Sequence, residues 1–179
     1  MGIFLGVPGC SADAVHHHQW PACRRIGWIA GSTETGGAMR VIGLDPGLNT
    51  GIAIYEDGKL ISLETIEPHR IEWHLSQFQF EPLFISFEDS RLQSHIWIPS
   101  QSKGVAANIA RKIGMVDAWC YMIERLCENY DVAYMRISPK AKGEKLHAED
   151  FKRITGWDGK SNQHERDAAM VAWQFRSRK

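Results

Sequence analysis

The chain has 179 residues, 44% of them hydrophobic, with 21 Lys+Arg balanced by 21 Asp+Glu, which is enough apolar material for one core and one globular domain. Zero formal net charge excludes a uniformly basic surface, and apolar runs that are strand-sized and broken by charge exclude a membrane helix, which needs roughly 20 apolar residues in a row. The balance is uneven: residues 39–89 carry 3 Lys+Arg and 9 Asp+Glu, residues 90–179 carry 16 and 10, a distribution that fits an acidic centre with a basic rim as well as ordinary solvated surface.

Residues 1–38 show no period of 2 or 3.6 and are punctuated by Gly, Pro and Ser, so they read as a weakly structured N-terminal extension. Met39 stands directly before the first convincing strand, and the folded domain is expected to run from 39 to 179. "RVIGLD" (40–45) reads as a buried strand, "GIAIYE" (51–56) as a second and "KLISLET" (59–65) as a third. Asp57-Gly58 between the last two is a hairpin signal that makes them antiparallel neighbours. "RIEWHLSQFQF" (70–80) has helical spacing, and "PLFISFED" (82–89) is an apolar strand ending in two acids.

A polar stretch over 90–104 leads into a long helix ending near Tyr130, with Ala106, Ile109, Ile113, Val116, Cys120, Ile123, Cys127 and Tyr130 forming one apolar stripe. Cys10, Cys23, Cys120 and Cys127 contain no CxxC pair, which argues against zinc. Cys120 and Cys127 lie about 10 Å apart along the helix axis, too far for a disulfide, so reduced thiols in a cytoplasmic compartment are expected. "VAYMRIS" (132–138) gives a fifth strand, and a connection bearing Lys140, Lys142 and Lys145 follows. "HAEDFKRITG" is a short helix closed by Gly156, and a last helix starts at Ser161 or Asn162 and runs through "QHERDAAMVAWQF". The order β-β-β-α-β-α-β-α predicts an α/β fold: a mixed five-stranded sheet, three strands antiparallel and two added in parallel, with helices on both faces.

Three carboxylates fall at element ends that this order can bring together: Asp45 ends the first strand, Glu88 ends the fourth, and Asp167 lies in the first turns of the last helix. Parallel pairing of strands one and four puts Asp45 and Glu88 at one sheet edge, where they repel each other unless a cation lies between them. Hard oxygen donors without cysteine favour Mg2+ or Mn2+. His164, three residues before Asp167, shares its helix face, and Gly47 and Gly51 are expected to open the turn after Asp45 for an approaching phosphate. Asp89, next to Glu88, is a possible substitute ligand that alternation points to the opposite face.

"VIGLDPGLNTGIAIYEDGKL", "LFISFED" and "HERDAAMVAWQF" together resemble the RuvC family of Holliday junction resolvases, phage-type versions in particular, within the RNase H-like superfamily. The resemblance spans roughly Met39 to Phe175. It implies an RNase H-like nuclease domain in which Asp45, Glu88, His164 and Asp167 are catalytic and hold two divalent ions, Mg2+ with Mn2+ as a substitute. It also implies branched DNA as substrate, a homodimer that makes paired cuts, and a bacterial cell or phage-infected host as the setting. Arg91, Lys103, Arg111, Lys112, Lys140, Lys142 and Lys145 are then expected to track phosphates, with Trp97 available to stack on an unpaired base. The sequence departs from the family in two places: Asp89 follows Glu88 directly, and such enzymes tend to carry an aromatic residue soon after the strand-four glutamate, where this chain has Arg91 and its first aromatic is Trp97.

"GLDPGLNTG" also resembles the phosphate-binding motif of sugar and acetate kinases, which use two such domains where this chain supplies one. An RNase H-fold nuclease acting on ribosomal RNA, and a non-catalytic module that binds branched DNA, are the other readings the acid set leaves open. Because residues 1–38 offer little patterned apolar surface, a chain starting at Met39 is expected to keep the circular dichroism spectrum and activity of the full chain. Loss of solubility on truncation would place those residues in the core.

Overall fold

Five short segments, three of them buried almost throughout, build one sheet in a computed structural model of the chain, which describes residues 39–78, 82–93 and 103–177. β1 (Arg40–Asp45), β2 (Thr50–Glu56), β3 (Lys59–Ile66), β4 (Leu83–Glu88) and β5 (Ala133–Ile137) are ordered β3-β2-β1-β4-β5. The first three form an antiparallel meander, β4 adds parallel to β1, and β5 adds parallel to β4. This is the expected mixed, RNase H-like α/β arrangement. Asp57 and Gly58 at the β2–β3 turn have φ of 49° and 82°, the left-handed pair that a two-residue hairpin of matching twist requires.

Among the described residues four helices cover the sheet: α1 (Ile71–Ser76), α2 (Lys103–Asn129), α3 (Ala148–Thr155) and α4 (Gln163–Trp173). Even positions of β1 (Ile42, Leu44) and odd positions of β4 (Ile85, Phe87) pack against Ile71 and Leu75 of α1 and Cys120, Ile123 and Cys127 of α2. The alternate positions, Val41 and Phe84, pack with Ala53 and Tyr55 against Phe151 of α3 and Ala168, Ala169 and Ala172 of α4. α1 is shorter than the helix predicted over 70–80, because a 3-10 turn from Pro68 to Arg70 takes up its start and residues 77–78 already turn away. Among the described residues no helix is long and apolar enough to cross a membrane.

The stripe on α2 is used in part. At 27 residues the helix is about 40 Å long, longer than any strand beneath it, so only Cys120, Ile123 and Cys127 are buried on the sheet. Ile109, Ile113 and Val116 are half-buried, and Val105, Met115 and Tyr121 are exposed.

α4 sits unusually close to β1 and β2, and two glycines make that possible. A Cβ on Gly43 would collide with the carbonyl oxygen of Ala168 and come within 2.8 Å of the Ala172 Cβ, and one on Gly51 would collide with the carbonyl oxygen of His164. Gly51 therefore serves helix seating inside β2, opposite Asp45, and does not open the turn as its sequence position suggested. Gly47 does lie in that turn, where Thr50 Oγ1 donates to its carbonyl at 2.8 Å. Gly43→Ala is expected to destabilise the fold by about 1–3 kcal/mol through overpacking in urea titrations. Gly47→Ala, whose Cβ would meet nothing nearer than 3.6 Å, should stay within roughly 0.5 kcal/mol.

Candidate functional site

Register decides which acids meet. β1 and β4 run parallel with Leu44 beside Phe87, so Asp45 and Glu88, one step on, end neighbouring strands at the same edge. Both alternate onto the α4 face, following Gly43 and Ser86; the Ser86 hydroxyl donates to the Val171 carbonyl of α4. The first turns of α4 then bring His164 and Asp167 over this edge.

That helix start is well anchored. Asn162 caps it, accepting from the Glu165 amide at 3.1 Å, while Glu165 accepts from the Asn162 amide at 2.8 Å, a reciprocal capping box worth about 1 kcal/mol. Thr65 of β3 joins both: Asn162 Nδ2 donates to its hydroxyl at 2.6 Å, and that hydroxyl donates to Glu165 at 2.9 Å. Gln163 Nε2 donates to Asp167 Oδ1 at 2.6 Å, and Arg166 holds Gln163 in turn while donating to the carbonyls of Leu146 and Ser161. Asp167 is thereby oriented with Oδ1 held by Gln163 and Oδ2 turned toward Lys142.

His164 Nδ1 lies 2.9 Å from Asp45 Oδ2. Lys142 sends its ammonium among the three carboxylates, 2.5 Å from Glu88 Oε2 and 3.1 Å from Asp167 Oδ2. The side chains of Asp45, Glu88, Asp167 and Lys142 are all below 20% exposed, whereas that of His164 is half exposed. Burial raises the pKa of Asp45; the His164 hydrogen bond and the Lys142 charge oppose this, and the nearby Asp167 charge adds to it. Burial pulls on Lys142 in the opposite sense, yet Glu88, Asp45 and Asp167 together leave its ammonium held above the usual value.

Three carboxylates thus face one ammonium, and with all three ionised two negative charges remain unbalanced. Glu88 Oε2 is buried, and its neighbour is the Lys142 ammonium at 2.5 Å. The excess of carboxylates fits a hard divalent cation. Among the described residues no three His, Cys, Asp and Glu side chains are gathered tightly enough to hold an ion as they stand, and the Lys142 ammonium fills the space between the acids.

The expected basic rim divides. Lys103, Arg111 and Lys112 on α2, and Lys140 and Lys145 on the β5–α3 connection, are exposed. Lys142 is not on the rim: its ammonium is buried among the carboxylates. Arg91 is not on it either. Its Nε and Nη2 donate to the two oxygens of Asp89 at 2.8 Å each, and Nη2 also reaches Glu124 at 2.9 Å. Trp97 lies outside the described residues.

Asp89 itself is fully buried on the α2 face, one residue and one face removed from Glu88. Arg136 stands 3.8 Å from it and 3.5 Å from Glu124, and Tyr134 donates to Glu124 at 3.2 Å. Burial would raise the Asp89 pKa, but the Arg91 hydrogen bonds and the two guanidinium charges hold it below its ordinary value.

No protein family and no curated protein matches the sequence. Among solved structures the chain is similar to "T. thermophilus RuvC in complex with Holliday junction substrate", with a TM-score of 0.51 and 18% identity over 75% of this chain and 90% of that one. At that identity the likeness is one of fold, and it establishes a RuvC-like, RNase H-like sheet.

Arg91→Ala leaves the buried Asp89 carboxylate with the backbone amide of residue 91, which donates to it at 3.0 Å, and with Arg136 at 3.8 Å in place of the forked guanidinium, and is expected to cost about 3 kcal/mol by urea denaturation. Because the folded pKa of Asp89 is depressed, the pair's contribution is complete above the ordinary carboxyl value of 3.8 and is lost as pH falls through the folded value. The gap between wild type and Arg91→Ala should therefore narrow in acid. A gap independent of pH would show that Arg91 acts by packing alone.

Proposed function

We propose that the chain is a divalent-metal-dependent endonuclease that cuts branched DNA, four-way junctions in particular. The observation that carries this reading is the convergence of Asp45, Glu88 and Asp167 at one sheet edge around a single ammonium. A structural ion cluster is neutralised by its own partners, as Asp89 and Glu124 are by Arg91 and Arg136. A site left short of positive charge is suited to receive it from solution.

In this reading Asp45, Glu88, His164 and Asp167 hold Mg2+, two ions per site, with Mn2+ able to substitute. Metal bound there supplies activation of an attacking water and stabilisation of the leaving 3′ oxygen. The chain's own part is to orient. Asp45, at the strand tip and bonded to His164, would serve both ions, with Glu88 assigned to one and Asp167 to the other. His164, half exposed and fixed through Nδ1 to Asp45, is a ligand or a base that orients the water. Cleavage leaves 5′ phosphates and 3′ hydroxyls.

The substrate class is supported by the exposed Lys103, Arg111, Lys112, Lys140 and Lys145, which suit contacts to backbone phosphates, and by the fold likeness to a RuvC seen with a Holliday junction. A four-way junction presents two equivalent strands, so paired cuts call for two sites related by two-fold symmetry. The exposed side of α2, with Val105, Met115 and Tyr121, and the 66–82 segment are the surfaces offered to a second copy.

Asp45→Asn removes a ligand charge with almost no change in volume. It is expected to lower Mg2+-dependent cleavage of a four-way junction at least about a thousandfold while binding of the junction persists, whereas Asp89→Asn should keep a far larger share of the activity. Four-way, flapped and linear DNA and structured RNA are assayed side by side, with light scattering on the junction complex. Full cleavage by Asp45→Asn, a preference for RNA, or a monomer on the junction would overturn the corresponding part of the reading.

A further inference from the structure

Lys142 stands apart from the rest of its loop. Between β5 and α3, Lys140, Ala141, Gly143, Glu144 and Lys145 are all exposed, and Lys142 is the one of the three lysines that turns inward, its side chain 10% exposed. Gly143 directly after it takes a φ of 89°, the left-handed conformation that glycine adopts without strain. The ammonium contacts Glu88 and Asp167 and acts on Asp45 through its charge, so it sits at the centre of the charge that the proposed metal would neutralise.

Two features make this a replaceable contact. A lysine ammonium is a point charge on a flexible stem, unlike the forked grip that Arg91 has on Asp89. The residues on both sides of it belong to a solvated loop, so the side chain can withdraw without opening either apolar core. An ammonium and a divalent ion cannot occupy the space between the same carboxylates together, because their like charges repel strongly at that separation.

Resting on the metal-nuclease reading above, we propose that Lys142 is a tethered counter-ion: it holds Asp45, Glu88 and Asp167 together while the site is metal-free and is displaced when a divalent cation binds. The lysine then sets the threshold of metal concentration at which the site loads. With the carboxylates free of the ammonium for only a fraction of the time, the apparent affinity for metal is reduced by that fraction.

The test measures Mn2+ binding to the full chain by calorimetry, with thermal melting in chelator and in Mn2+. Lys142→Met keeps the apolar stem and removes the charge. It is expected to bind Mn2+ on the order of tenfold more tightly than wild type, to melt at a lower temperature in chelator, and to regain the difference when Mn2+ is added. A variant that is unfolded in chelator and folds on adding Mn2+ supports the same conclusion, and one that Mn2+ fails to fold overturns it. Equal or weaker Mn2+ binding by Lys142→Met, with binding abolished in Asp45→Asn, would refute the counter-ion and leave the metal site standing. Absence of Mn2+ binding in wild type and Lys142→Met alike, or binding unchanged in Asp45→Asn, would remove the metal reading and this inference with it.

Discussion

The seating of α4 on the glycine faces of β1 and β2 is the constraint on which the candidate site depends. Helices ordinarily pack on sheets through side chains, which keep the two backbones about 10 Å apart. At Gly43 and Gly51 there are no side chains, and the carbonyls of Ala168 and His164 occupy the space a Cβ would take. The alanines of α4 continue the close contact: Ala168, Ala169 and Ala172 are fully buried. With the helix this near, short side chains from its first two turns reach the strand tips, and a three-residue spacing is enough to bring both His164 and Asp167 to the acids. Were the helix lifted by even one methyl group, the His164–Asp45 hydrogen bond would lengthen and Asp167 would lose Lys142. The Thr65, Asn162 and Glu165 cluster adds the second coordinate by fixing where along the sheet the helix begins.

Strand alternation separates two acidic clusters that adjoin in sequence. Glu88 turns to the α4 face and Asp89 to the α2 face, and the two environments differ in charge balance. On the α2 face, two carboxylates meet two guanidiniums with multiple short hydrogen bonds. That cluster is electrically complete, and its work is to pin the segment after β4 to α2 and β5. On the α4 face, one ammonium answers three carboxylates. Burial makes the surplus costly in that second cluster, and natural sequences tolerate such costs where a charged ligand or substrate offsets them. A one-residue shift in the β1–β4 register would exchange the roles of Glu88 and Asp89; because both strands are apolar on both faces, size opposes that shift, with the small Gly43 and Ser86 under α4 and the large Leu44 and Phe87 on the other face.

Much of this was legible in the sequence because it rests on local or periodic signals. The Asp57-Gly58 turn, the short apolar runs of β1 and β4, Gly156 closing α3 with a φ of 75° and Asn162 capping α4 each follow from a few adjacent residues. What escaped depends on contacts between distant segments. Lys140, Lys142 and Lys145 look alike in a polar connection, and nothing local says that only Lys142 turns inward; that follows from where Glu88 and Asp167 come to lie. Arg91 reads as a surface charge until Asp89 is seen buried beside it, although Asp-x-Arg with a fully apolar strand before it is a pattern that could have suggested the pair. Gly51 carried a signal too, since a glycine inside a strand often marks a close backbone approach, and its position opposite Asp45 concealed that role. Gln163 was readable as the i, i+4 partner of Asp167 on one helix face.

The opposite directions of the Asp45 and Asp89 pKa shifts express the same division in thermodynamic form. Asp89 is more acidic in the fold than in the open chain, so ionising it stabilises the protein as pH rises past the ordinary carboxyl range. Asp45 is less acidic in the fold, so its ionisation works against folding over the range from its ordinary value up to its raised one, and the penalty persists above that. His164 and Lys142 reduce this penalty without cancelling it. One carboxylate is therefore placed to be satisfied by the chain, and the other is placed to remain in need of positive charge. A cation held between Asp45, Glu88 and Asp167 would reverse the sign of the Asp45 contribution, coupling metal binding to stability through the strand tip where the substrate phosphate is read to arrive.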